Sequence, residues 1–184
     1  MEGDPKALLM IEFRGKTLEE AMAKGEALIA DLKAAGYGYA YPIIEPEKVA
    51  SAWALRAAGL GLLGNIPGDP KAVACIEDTA VDITDLADYI DELDGILAGF
   101  NQNPVHYAHA GAGEIHMRPI LDLKKAEDVE EFYQISLASA KLVKKYQGSL
   151  SGEHGDGRVR AAFIPMMVGE KNYQLFRRIK YTWD

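Results

Sequence analysis

The chain has 184 residues, of which 48% are apolar and 26% charged, a balance that excludes a disordered tail or a collagen-like fibre. Its 28 acidic and 20 basic side chains leave a net charge of −8, which repels phosphate backbones and argues against nucleic acid as a partner. The longest apolar runs, such as residues 7–11 and 60–63, fall far short of the roughly 20 residues a membrane span needs. Residues 1–6 lack the charged-then-apolar pattern of a secretory signal, and Cys75 is the only cysteine. No internal disulfide can form, and a reducing, cytoplasmic setting is expected. Neither an internal repeat nor a Pro/Ser linker interrupts the chain, which reads as a single domain over residues 1–184.

In chain order, the apolar run Ala7 to Phe13 predicts a buried strand. Thr17 and Glu20 form a capping box, and Leu18, Met22, Gly25, Ile29 and Leu32 recur at helical spacing until Gly36. Tyr37 to Ile44 alternates tyrosine with small residues and predicts a second strand. Pro46 opens a helix that carries Trp53 and Arg56, three apart and so on one side. A glycine-rich passage, Gly59 to Gly68, leads to a strand at Ala72 to Ile76.

Next comes a helix with Ile83, Leu86, Ile90, Leu93 and Leu97 on one face. Its wet face is expected to hold the acidic run Glu77 to Asp94, eight carboxylates without a Lys or Arg. Two strands, Val105 to His109 and Glu114 to Ile120, joined by Ala-Gly-Ala-Gly, predict a hairpin. A long helix over Ala126 to Tyr146 turns Phe132, Ile135, Leu142 and Tyr146 inward. The loop Gly148 to Arg158 precedes a last helical region ending near Trp183. The hairpin among alternating strands and helices implies an antiparallel sheet, and an α+β sandwich fits best.

All four histidines fall in two short segments: His106, His109 and His116 in the hairpin and His154 in the glycine loop. His109 and His116 flank a glycine turn and can project toward one point, as metal ligands must, or simply cap the turn. Glu153 is the nearest carboxylate to complete such a set. In Ser151-Gly152-Glu153-His154-Gly155-Asp156-Gly157-Arg158, the glycines allow close approach and positive φ, and a histidine there suits a general base. The segment is not a Walker A loop, and no strand runs into it as a dinucleotide fingerprint requires.

Taken together, residues 107–116 (Tyr-Ala-His-Ala-Gly-Ala-Gly-Glu-Ile-His) and 151–155 resemble the C-terminal substrate domain of FAD-linked oxidases. This is the family of D-lactate, glycolate and D-2-hydroxyglutarate dehydrogenases, within the vanillyl-alcohol-oxidase superfamily. Trp53-Ala54-Leu55-Arg56 is similar to the family's Trp-x-x-Arg helix, and residues 76–81 to its strand-to-helix junction. The resemblance implies an antiparallel sheet of ferredoxin-like topology covered by helices. It implies His109, His116 and Glu153 as ligands of a divalent metal (zinc, manganese or iron), His154 as the base, and Arg56 as the partner of the substrate carboxylate. The implied reaction oxidises a D-2-hydroxy acid to a 2-oxo acid, with hydride transfer to FAD.

Two residues depart from the family pattern: Ala112 where Asp is usual and Glu114 where Asn is usual. Both are expected in the turn, away from the ligands. Ile115-His116-Met117-Arg118-Pro119 resembles a branch fused to an iron–sulfur segment, which implies iron–sulfur in a parent protein and Arg118 as a second contact for a diacid substrate. Cys75 alone cannot ligate such a cluster. The resemblance also places an FAD-binding domain before this one, so the chain reads as a domain of a larger flavoenzyme, expected to be inactive when isolated. Self-association through Phe163, Ile164, Pro165 and Met166 is expected, giving a homo-oligomer. The rival readings are a free-standing His/His/Glu metal hydrolase and a non-catalytic interaction module.

Overall fold

The computed structural model describes residues 3–184, apart from the side chain of Leu60. The chain forms two compact units, Met1–Ala58 and Gly59–Asp184.

In the first unit, α1 (Leu18–Ala35) begins as its capping residues require. Glu20 N–H donates to Thr17 Oγ1 at 3.3 Å, and Glu20 Oε2 accepts from Lys16 N–H at 2.8 Å. Gly36 ends the helix in the left-handed conformation at φ 75°. The expected strands at Ala7–Phe13 and Tyr37–Ile44 do not form. A strand needs a neighbour to take up its N–H and C=O groups, and neither segment has a ladder partner among the described residues. No described residue of this unit is buried. α2 (Pro46–Gly64) starts at Pro46 and continues through Gly59, so the first part of the glycine-rich passage is helical rather than loop.

In the second unit, β1 (Lys71–Ala72) pairs antiparallel with β5 (Ile120–Leu121). β2 (Ile76–Ala80), β3 (Val105–His109) and β4 (Glu114–Arg118) form an antiparallel sheet in the order β2-β4-β3. The strand expected at Ala72–Ile76 is therefore split between β1 and β2. Pro119, which has no N–H to donate, separates β4 from β5 in the same way.

α3 (Leu86–Gly99) and α4 (Ala126–Lys145) cover one face of the three-stranded sheet. Tyr89, Leu93 and Leu97 from α3 meet Ile135, Leu142 and Val143 from α4, with Ile76, Ile115 and Met117 from the sheet beneath. Each such side chain contributes about 1.5–3 kcal/mol by leaving water. This is the α+β architecture expected, with two corrections. Ile83 precedes α3 and is exposed rather than on its apolar face. The acidic run is not all wet helix: Glu77 and Asp78 are buried on β2.

The chain ends in α5 (Gly157–Arg160), α6 (Ile164–Val168) and α7 (Glu170–Trp183), with a 3-10 turn at Ala161–Phe163. Phe163 is buried against Ala140 and Leu150, and Met166 packs on that cluster. Ile164 and Pro165 are half-buried. The apolar patch expected to drive self-association is thus largely occupied by the chain itself.

Candidate active site

Strand periodicity sorts the hairpin residues into two faces. His109 pairs with Glu114, Tyr107 with His116 and Val105 with Arg118, so Tyr107, His109, Glu114, His116 and Arg118 share one face. Ala108, Ile115 and Met117 point the other way, into the core. His106 goes with them and is drawn off to α3, where its Nε2 lies 2.8 Å from Asp94 Oδ1. Of the three hairpin histidines, only His109 and His116 belong to the site.

The turn between β3 and β4 needs glycine at position 113. Its φ is 70°, and a Cβ there would fall 2.1 Å from Val81 O. Val81 N–H donates to Gly113 O at 3.0 Å, tying the turn to the end of β2.

β2 contributes through a bulge. Ile76 pairs with Met117 and Thr79 with Ile115, so both Glu77 and Asp78 stand opposite the single residue His116. Asp78 takes up the extra length at φ 53°, a left-handed conformation that Asp tolerates. Its buried carboxylate accepts from Ser151 Oγ at 2.8 Å, Glu153 N at 2.9 Å and His154 N at 2.6 Å, and pairs with Arg160. Arg160, also buried, donates further to Glu77 O and Gly155 O. Burial pushes the Asp78 carboxyl upward, but the two backbone N–H groups, the Ser151 hydroxyl and the Arg160 charge outweigh it and hold it below the ordinary range.

The glycine loop is thereby fastened alongside β2. Gly152 N–H donates to Asp78 O at 2.7 Å, and a Cβ at Gly152 would meet the Glu114 carboxyl carbon at 3.2 Å.

These elements bring the predicted groups to one place. Glu153 Oε1 lies 3.2 Å from His154 Nε2, 3.6 Å from His109 Nε2 and 3.8 Å from His116 Nε2. His116 is buried; its ring stacks with Tyr107 at 4.8 Å and with His154 at 5.5 Å, and meets His109 edge-on. His109, Glu153 and His154 form the exposed lip, each side chain 42–48% accessible. His109, His116 and Glu153 offer three ligand atoms within 4.8 Å of one another. Two imidazoles and a carboxylate at that spacing fit zinc, manganese or iron.

Arg118 adjoins the cluster, its guanidinium 2.8 Å from Glu77 Oε2 and its Nε donating to Tyr107 OH at 2.9 Å. Arg56 lies in the first unit, exposed on α2 with Trp53.

The site also holds residues that the motifs had not assigned. Glu114 opens β4 rather than lying in the turn; it is buried, with Oε1 3.7 Å from His116 Nε2. Ala112 alone is in the turn. Glu77 Oε1 lies 3.4 Å from His116 Nδ1 and 3.4 Å from His154 Nδ1. Burial acts to raise the Glu77 carboxyl, and the interactions with His116 and Arg118 overcome it and lower it. Tyr107 and Glu114 were readable from their even spacing to His109 and His116. Residues 76–81, which contain Glu77 and Asp78, resemble the family without assigning either a role, and nothing local to Arg160 signals a place here.

An α+β domain thus presents a His/His/Glu cluster with an adjoining histidine on one face of its sheet. The family model described as FAD linked oxidases, C-terminal domain, matches residues 1–184, and the chain belongs to that family. It is 35% identical over 178 residues to a D-2-hydroxyglutarate dehydrogenase of Pseudomonas putida, covering 95% of this chain and 18% of that protein. A D-2-hydroxyglutarate dehydrogenase of Haemophilus influenzae is 36% identical over 193 residues, with 100% of this chain and 18% of that protein covered. A glycolate oxidase subunit of Bacillus subtilis is 26% identical over 184 residues, covering 97% of this chain and 37% of the subunit. The chain spans less than a fifth of the length of the two dehydrogenases.

Proposed function

We propose that this chain is the substrate- and metal-binding domain of an FAD-dependent enzyme that oxidises a D-2-hydroxy acid to a 2-oxo acid. One observation carries the reading: the Nε2 atoms of His109, His116 and His154 all converge on Glu153 Oε1. The dehydrogenase names of the relatives support a hydroxy acid, with 2-hydroxyglutarate the favoured substrate. His109, His116 and Glu153 would hold a divalent metal, and an FAD-binding domain of the parent protein would bring the flavin. Iron–sulfur, if it serves the parent, lies outside this chain, as does any second copy in a homo-oligomer.

A divalent metal held by His109, His116 and Glu153 would supply Lewis acidity at the substrate hydroxyl, and the parent protein's flavin would supply the hydride acceptor. The chain's own residues do the rest. His154 takes the hydroxyl proton on Nε2, the atom that Glu153 faces at 3.2 Å. The resemblance assigns the substrate α-carboxylate to Arg56, whose guanidinium fork matches two carboxylate oxygens. Arg118, already steadied by Glu77 and Tyr107, receives the second carboxylate of a diacid. The Tyr107 ring stacks on the buried His116 imidazole.

The test is divalent metal content of the purified chain, beside the His109→Ala/His116→Ala double variant and a His106→Ala control. Near-stoichiometric metal in the wild type and in the control, lost in the double variant, is expected. Metal retained by the double variant would sink the ligand assignment. In the parent flavoprotein, His154→Ala should lower kcat for D-2-hydroxyglutarate on the order of 10²-fold or more. Unchanged turnover would remove His154 as the base. Neither the hydrolase nor the interaction-module reading has an observation of its own in the structure.

A further inference from the structure

The ring of His116 has a second edge that the group His109, His116 and Glu153 does not use. His116 Nδ1 lies 3.4 Å from Glu77 Oε1, and His154 Nδ1 lies 3.4 Å from the same oxygen. Glu77, His116 and His154 offer ligand atoms within 4.8 Å of one another. Both 3.4 Å separations are longer than an ordinary N–H···O bond, which spans about 2.7–3.2 Å. They match the spacing of ligands around an ion: two atoms bound to one tetrahedral zinc at about 2.0–2.1 Å stand about 3.3–3.4 Å apart. The first group is wider, with His109 and His116 at 3.6 Å and 3.8 Å from Glu153 Oε1.

Burial gives this edge a need for an occupant. His116 and Glu77 are 2% and 7% exposed, and His116 Nδ1 has no hydrogen-bond partner. A buried polar atom left in that state is costly, and a cation satisfies a lone pair there. Glu114 Oε1 is likewise buried without a partner. Glu77, Glu114 and Glu153 all face His116, against the single guanidinium of Arg118. With neutral imidazoles, three carboxylates less one guanidinium leave two excess negative charges, the charge of one divalent cation. Arg118 holds Glu77 by Oε2, which leaves Oε1 for the ion, and ligating carboxylates are ordinarily hydrogen-bonded in this way. His154, 48% accessible, opens the group to solvent.

We propose that Glu77 Oε1, His116 Nδ1 and His154 Nδ1 form a second seat for a divalent cation, with zinc the best match to their spacing and donor set. A neutral imidazole has one lone pair, so His116 serves the first seat through Nε2 or the second through Nδ1, never both at once. The chain therefore binds one ion, in either of two places. An ion in the second seat leaves the N–H of His154 on Nε2, which blocks the nitrogen proposed to take the substrate proton. Only that last consequence rests on His154 as the base; the second seat does not depend on the first.

Zinc titration of a chain whose first seat is dismantled, His109→Ala/Glu153→Gln, is the test. Both side chains are on the exposed lip, and Gln at 153 keeps the backbone N–H that Asp78 holds. This variant should still bind one zinc. Adding Glu77→Gln or His154→Ala should weaken that binding on the order of 100-fold or more, since even the hydrogen-bonded partner of a ligand is worth about 10–100-fold. Imidazole nitrogen NMR of the zinc-loaded variant should show His116 and His154 metal-bound at Nδ1 and protonated at Nε2. His106, beside Asp94 on the other face, should not change.

A folded double variant that takes up no zinc would overturn the second seat and leave the first intact. Zinc that persists after His154→Ala, or that binds His116 through Nε2, would overturn it as well. Should the double variant fail to fold, Glu153→Gln alone gives the same reading: zinc on His116 Nδ1 supports the seat and zinc on Nε2 removes it. No zinc uptake by the wild type would overturn both seats.

Discussion

Asp78 shows how much of the site depends on one side chain that touches no proposed metal or substrate. It is fully buried, in a left-handed conformation, and its carboxylate gathers two backbone N–H groups, a hydroxyl and a guanidinium. Those backbone groups belong to Glu153 and His154, so Asp78 sets the position from which both act. Replacing it with alanine would leave Arg160 buried without its counter-charge, at a cost of about 3–5 kcal/mol. Asp78→Ala is therefore expected to lower the urea midpoint sharply and to reduce metal uptake. A midpoint within error of wild type would show that the loop is held by other means. His109, His116, Glu153 and His154 were legible in the sequence because they sit in two short motifs. Asp78 and Arg160 were not, because 82 positions separate the partners of that ion pair.

At the scale of the element, the hairpin and the bulge do different work. The hairpin was readable from alternation and from its glycine turn, and β3 falls on the predicted residues Val105–His109. Alternation also separates His109 from His106, since an odd step between them puts them on opposite faces. The bulge in β2 was not readable. It arises because two residues must stand opposite His116, and that register is fixed by β4, nearly forty positions away in sequence. Gly113 joins the two devices through its contact with Val81. Gly113→Ala would combine a positive φ with a Cβ overlapping a carbonyl, so the turn must shift. The expected loss is about 1–3 kcal/mol from backbone strain alone, seen as a lower thermal midpoint with weakened metal binding. Unchanged metal affinity in that variant would mean that the turn does not set the spacing of His109 and His116.

For the whole molecule, the second unit owns the buried core and the candidate site, whereas the first has no buried residue among those described. Among the described residues no helix is long and apolar enough to cross a membrane. The carboxyls of Glu77 and Asp78 are both held below their ordinary values, so each is more stable ionised in the fold than in the unfolded chain. Their contribution to stability is complete above the unfolded carboxylate range, near pH 4, and is lost as pH falls through their lower folded values. Urea unfolding followed from about pH 6 downward should show stability dropping below about pH 4, with a shallower drop in Asp78→Asn. An identical slope in that variant would mean that other carboxylates govern the acid limb.

The sequence by itself determined the elements with local causes. These are α1 with its capping box and glycine stop, the apolar stripes of α3 and α4, the hairpin, and the two motifs that identify the family. Each follows from residues within a few turns or one strand of one another, where spacing alone decides which side chains share a face. Only the tertiary structure decided the rest. Residues 7–13 and 37–44 carry strand-like patterns without forming strands, because a strand exists only where another supplies its hydrogen bonds. Glu77 and Asp78 read as part of an acidic surface, yet the sheet buries them because His116, Arg118 and Arg160 arrive there from distant positions to compensate their charge.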